Sequence, residues 1–150
     1  MSIFKNALDK SQKSAEEYLS NLQKISSEEP TWTKPQPINT RIEGTGCNGV
    51  YKIYHRDDLE KPKAIGQGNI GGRKSRYMQV LNNRGIAKDH AGGSSSSCVV
   101  ATKMYKKDSN TDHWFFSFCE IENKLLREQY ETDLIEDENP DFNAKHMAGK

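Results

Sequence analysis

The sequence predicts an α+β domain, a small antiparallel sheet flanked by helices, with an N-terminal helix and an extended arm ahead of it. Three observations lead there. Residues 49–54 alternate as a half-buried strand does, and residues 63–65 begin a second short strand near enough to close an antiparallel hairpin. Residues 73–84, and those from about 122 onward, carry apolar side chains at helical spacing. The upstream hairpin argues against a parallel, doubly wound sheet. At 150 residues the chain has room for one continuous core, divided into a helix-and-arm segment, 1–40, and a main body, 41–150.

Each element has a local cause. Ser14-Ala15-Glu16-Glu17 fits a capping box, and Ala15, Tyr18, Leu19, Leu22 and Ile25 then recur at helical spacing. Pro30, Pro35 and Pro37 break that helix and force an extended arm over residues 28–40, where Trp32 is expected to be pinned against the body. Val50, Ile53, Tyr51 and Tyr54 make the first strand, Asp57, Asp58 and Pro62 the turn, and Lys63-Ala64-Ile65 the second strand. A glycine-rich loop is expected over 66–72, then a helix over 73–84 with Met78 and Leu81 on one side and Gly85 as its stop. The serine- and glycine-rich stretch 88–97 is expected to be a loop that orders on a ligand. Residues 98–105 and 114–121 are expected as two further strands joined by a polar turn over 106–113. A last helix places Leu125, Leu126, Tyr130 and Leu134 toward a core and ends by Pro140.

Composition narrows the function classes. Mean hydropathy is -0.91 and 29% of residues are charged. No apolar run approaches the roughly 18 residues of a membrane span, and the first residues lack a secretory leader, so no membrane partner and a cytoplasmic location are expected. Cys47, Cys98 and Cys119 are widely spaced, and His55, His90, His113 and His146 show neither finger-like nor HExxH spacing. Free thiols and no zinc site are expected. The net charge of +1 predicts no nucleic-acid partner by itself. Its distribution is uneven: Lys61, Lys63, Arg73, Lys74, Arg76 and Arg84 crowd the middle, and residues 120–141 are acidic.

Two phosphate-binding patterns fail on context. Gly66-Gln67-Gly68-Asn69-Ile70-Gly71 matches GxGxxG, but Asp89, at the right distance for a ribose contact, sits in a polar loop and not at the end of a parallel strand. Gly72-Arg73-Lys74-Ser75 breaks the Gly-Lys step of a P-loop, and no strand carrying a second aspartate follows.

A different set of residues fits one ordered pattern. Gly49-Val50-Tyr51, Ala64-Ile65-Gly66, the continuation through Gly72 to Arg73, Glu131-Thr132-Asp133-Leu134-Ile135 and Pro140-Asp141-Phe142-Asn143 together resemble the core of GIY-YIG nucleases, over residues 49 to the C-terminus. The part before Gly49 and the lack of room for a separate DNA-reading module make the type II restriction-endonuclease branch the nearer likeness. Two positions depart from the pattern. Ala64 stands where the YIG tyrosine belongs, and Tyr77 stands four residues after Arg73, where many relatives have histidine.

The resemblance implies a GIY-YIG nuclease core and a metal-dependent phosphodiester hydrolase acting on double-stranded DNA. It implies Tyr51 as the base that activates water, with Lys63 filling the space of the missing phenol, and Arg73 holding the non-bridging oxygens with its planar fork. Glu131 is implied as ligand of one Mg²⁺ or Mn²⁺, and Tyr77 as a partner of the phosphate or the attacking water. Lys74, Arg76, Arg84 and Asn143 are the expected DNA contacts, and a homodimer is expected on a palindromic site. Taken singly, Tyr51 is an ordinary core aromatic and Glu131 an ordinary solvated residue; only their joint order says more. Two other functions compete: a structure-specific or repair nuclease, and a catalytically decayed DNA-binding module.

Overall fold

In the computed structural model, Met1–Thr31 and Trp32–Lys150 are separate compact units, and the described residues, 30–82 and 96–143, lie almost wholly in the second. The side chains of 96–98 are outside that description, as are the expected N-terminal helix, most of the 88–97 loop, Arg84 and the residues after 143.

Four antiparallel strands run in the order β1-β4-β2-β3. They are β1 (Gln36–Pro37), β2 (Asn48–His55), β3 (Ala64–Asn69) and β4 (Trp114–Glu120). The helices are α1 (Ile70–Asn82), α2 (Ser96–Lys107) and α3 (Lys124–Glu138). The class is α+β, as the sequence predicts. The expected hairpin forms with Tyr51 opposite Gly66 and Ile53 opposite Ala64, and β4 pairs along the other side of β2.

Period-two alternation divides the side chains between two faces. Tyr51, Ile53, Trp114, Phe116 and Phe118 share one core cluster with Ile70, Tyr77, Val80 and Leu81 of α1 and Val100, Ala101 and Met104 of α2. Trp114 and Phe116 are fully buried there. The intervening Lys52 and Tyr54 belong to the opposite face, against which α3 packs. Arg127 of α3 is buried, and its Nε donates to Gln67 Oε1 (2.7 Å) while Nη1 donates to the carbonyls of Ile121 and Glu122. A charge in that position is tolerated because its donors are satisfied.

The arm behaves as the prolines and Trp32 predict. Thr33 bonds Phe118 through backbone and side chain, and Trp32 Nε1 donates to Tyr130 Oη (3.1 Å) with Lys52 Nζ 4.7 Å from the Trp32 ring centroid.

Three expectations are corrected. Leu125 of α3, expected toward the core, is 61% exposed, while Leu126 beside it is buried. Residues 98–105 form the body of α2 and not a strand. Val99, Val100 and Thr102 suit strands, but strand preference reflects packing context more than backbone preference, and Val100, Ala101 and Met104 also lie on one helical face, all buried. The glycine-rich segment 66–72 is not a loop either: β3 continues to Asn69, and α1 begins at Ile70. Asn69 Oδ1 accepts from Gly72 N (2.8 Å), the bond that a capping side chain supplies at a helix start.

Asn143 closes the free edge of β3. Its Oδ1 accepts from Ile65 N and its Nδ2 donates to Ile65 O, both at 2.8 Å. Asn143→Ala leaves a buried donor and a buried acceptor unpaired at about 1–3 kcal/mol each, so urea unfolding should show a loss of about 2–4 kcal/mol.

Candidate active site

The site is built on missing side chains. A Cβ on Gly66 would stand 2.2 Å from Tyr51 Oη, so the phenol occupies the space that any other residue there would fill. Two residues on, Gly68 faces the same way with φ +139°, and a Cβ there would stand 2.6 Å from Arg73 Nε. The backbone of β3 thus carries a phenol and a guanidinium side by side.

Tyr77 lies one helical turn after Arg73 and returns to the same side of α1. Its Oη is 2.7 Å from Tyr51 Oη, with the rings edge-on at 5.7 Å. Tyr51 also stacks on Phe116, with centroids 5.4 Å apart. Both phenols are 2% exposed. Burial pushes Tyr51 up to about 12, although the Tyr77 hydrogen bond and the charges of Arg73 and Arg76 pull it down. Burial holds Tyr77 well above the usual tyrosine range as well.

Glu131 comes from α3. That helix packs on β3, the edge strand that carries Gly66 and Gly68. Burial pushes the Glu131 carboxyl up to about 7; the neighbouring Glu128 adds to the rise and Arg73 opposes it. The charge of Glu131 acts in turn on both Tyr51 and Tyr77. Phenol pair, guanidinium and carboxylate, from three different elements, form one electrostatic unit. Beside it opens a cleft of about 220 Å³ lined by Asn69, Gly72, Arg73 and Arg76. A second cleft, about 520 Å³, is lined in part by Arg41, Glu43, Lys74 and Ser75.

The remaining expected site residues divide. Arg76 and Lys74 line these clefts; Arg84 lies outside the described residues. Lys63 does not join Tyr51. It sits three residues, about 10 Å, along the strand direction from Gly66, and its Nζ is 3.1 Å from Asp141 and 3.5 Å from Asp57. Its charge is held by those carboxylates. Tyr77 does join Tyr51: the two hydroxyls are hydrogen-bonded and both phenols are equally buried. Asn143, expected on DNA, spends both ends of its amide on Ile65. Sequence reasoning missed Asn69 and Glu128. Asn69 had a usable signal, an asparagine directly before a helix; Glu128 is one acidic residue among many and had none.

No family model, no curated protein and no solved structure matches the chain.

Two outcomes follow from this geometry. Gly68→Ala combines a positive φ with the 2.6 Å clash on Arg73, and thermal unfolding should show a loss of about 1–3 kcal/mol. The second concerns pH. An unfolded Glu131 ionises near its ordinary value of 4.5, whereas the folded one keeps its proton until about 7. Its contribution to stability is therefore fully present below pH 4.5 and is lost as pH rises to about 7. Glu131→Gln should flatten that part of the profile of urea-unfolding free energy against pH; identical profiles for the two proteins would contradict the shift.

Proposed function

We propose that the chain is a divalent-metal-dependent endonuclease of the GIY-YIG type that hydrolyses double-stranded DNA. The observation that supports it best is the seating of Tyr51 and Arg73 against the bare backbone of Gly66 and Gly68, with the carboxyl of Glu131 near enough for its charge to act on Tyr51 and for Arg73 to act on it. In sequence these residues are far apart, and nothing in ordinary core packing requires a partly buried carboxyl to face a guanidinium and two phenols.

In this reading Arg73 binds the non-bridging oxygens of the scissile phosphate, a task suited to its rigid fork of donors. Arg76, beside it in the same cleft, and Lys74 on the same helix follow the phosphate backbone. Tyr51 accepts the hydrogen bond of the attacking water and is oriented by Tyr77. Because its pKa is pushed up to about 12, Tyr51 is a neutral phenol at neutral pH, and Arg73 and Arg76 favour its phenolate, the form that takes a proton from the attacking water. Glu131, with Glu128 near it, is the group that would hold Mg²⁺ or Mn²⁺. A desolvated carboxyl beside a second carboxylate fits a hard cation that keeps most of its waters. When bound, the ion supplies Lewis-acid stabilisation of the departing 3′ oxygen. A homodimer would match the two-fold symmetry of a palindromic target, as restriction-type cleavage requires.

A second reading, a DNA-binding module that no longer cuts, draws on two facts. Ala64 replaces a tyrosine of the pattern, and Tyr51 is 2% exposed. Plasmid DNA incubated with Mg²⁺, with EDTA as control, separates the readings. The nuclease gives a discrete ladder of fragments, and Arg73→Ala and Glu131→Ala each cut at least about 10²-fold more slowly while still retaining DNA in gel shifts. Normal cutting by Glu131→Ala refutes the assignment, and DNA retention without cutting under any divalent ion favours the decayed module.

A further inference from the structure

At the other end of β2 stands a cluster that the nuclease reading does not use. His55 ends β2, Asp108 follows α2, and His113 closes the short 3₁₀ turn Thr111–His113 that leads into β4. Asp108 Oδ2 lies 2.7 Å from His55 Nε2 and 2.7 Å from His113 Nδ1. One donor atom from each of the three side chains falls within 4.8 Å of the others. Four residues, about 13 Å of strand, separate His55 from Tyr51.

We propose that His55, Asp108 and His113 bind one borderline divalent cation, with Zn²⁺ the best match. Two imidazoles and one carboxylate are a ligand set such an ion prefers, and a fourth position is left for water. At metal–ligand distances of about 2.0–2.2 Å a tetrahedral ion wants its ligand atoms about 3.3 Å apart. The two 2.7 Å contacts open by several tenths of an ångström, and the two imidazole nitrogens, already within 4.8 Å of each other, adjust to the same spacing.

The surroundings are those of a held site. Asp108 is fixed by Asn110 N, which donates to its Oδ1 (3.0 Å), and by Trp114 Nε1, which donates to its carbonyl (2.7 Å). The His55 ring is wedged edge-on against Trp114 at 4.7 Å and is 6% exposed. Asp57 N donates to His55 Nδ1 (3.1 Å), which makes Nε2 the protonated nitrogen that donates to Asp108. When an ion takes Nε2, the ring proton moves to Nδ1; the bond Nδ1 accepts from Asp57 N is then given up, and Nδ1 donates to Asp57 Oδ2, 3.3 Å away, instead. That outer carboxylate is anchored by Lys107 Nζ (2.8 Å), an arrangement that orients a ligating imidazole. The side chains of Asp108 and His113 are 21% and 22% exposed, which leaves a route for an ion and a water. Bound there, the ion ties the end of β2 to the end of α2 and the start of β4. None of this rests on the nuclease reading.

The test uses the purified full chain, stripped with EDTA and dialysed, with Co²⁺ as spectroscopic probe and Zn²⁺ as competitor. One Co²⁺ per chain should give the visible absorption of a four-coordinate ion, one equivalent of Zn²⁺ should displace it, and Zn²⁺ should raise Tm. His113→Ala should weaken Zn²⁺ binding about 100-fold or more, while Cys47→Ser leaves it unchanged. His113→Cys should keep the site and add a thiolate-to-cobalt band in the near ultraviolet that the natural sequence lacks. The proposal is overturned by the absence of saturable binding, or by binding that survives in a folded His113→Ala. Loss of binding in Cys47→Ser would move the ion to Cys47, Glu120 and Glu122, a group whose donor atoms also lie within 4.8 Å of one another, and would overturn it equally. If His113→Ala does not fold, a His113→Cys protein without the thiolate band decides against it.

Discussion

The bare backbone of β3 at Gly66 and Gly68 is the constraint on which the rest of the site depends. A strand normally presents a side chain every second residue to each face. Here two consecutive places on one face are vacated, one for the hydroxyl of Tyr51 and the other for the guanidinium of Arg73. Gly68 also adopts a φ of +139°, which side-chain-bearing residues seldom take, so strand geometry and the packing of Arg73 select glycine together. The glycines that imitate a dinucleotide fingerprint in the sequence serve another purpose. They let cross-strand and helical side chains lie against a main chain.

Burial and charge pull against each other throughout this region. Tyr51, Tyr77 and Glu131 are all desolvated enough to favour their neutral forms, while Arg73 and Arg76 favour the charged form of Tyr51. With Glu131 protonated up to about pH 7, Arg73 faces no full countercharge from it in mildly acidic solution. An arrangement of this kind is costly as a core and suited to partners that bring charges of their own.

Much of the frame was legible from local pattern. The hairpin of β2 and β3, the helix after it and the last helix follow from alternation and from helical spacing, and Trp32 sits where its size and the surrounding prolines require. What failed did so for definable reasons. Val99, Val100 and Thr102 mislead because their branched side chains suit strands, whereas the residues α2 buries, Val100, Ala101 and Met104, fall at helical spacing. Lys63 looked like a substitute for the phenol missing at Ala64, yet Asp57 and Asp141 hold its charge elsewhere. The grouping of His55 with Asp108 and His113 escaped because metal spacing rules look for neighbours in sequence, and 53 positions separate His55 from Asp108. Glu131 was singled out through the ordered resemblance and not through spacing alone, and the charge of Arg73 acts on it.

The clamp of Asn143 on Ile65 has a consequence for how this body meets other chains. An open strand margin is a template onto which a foreign strand can zip. At one margin of this sheet the side-chain amide of Asn143 already takes both hydrogen-bonding groups of Ile65. At the other, β1 is two residues long and ends in Pro37, which has no amide hydrogen to offer. Among the described residues, Asn143 covers one residue of the β3 margin and β1 offers only two at the other, which shortens the stretch onto which a foreign strand could pair.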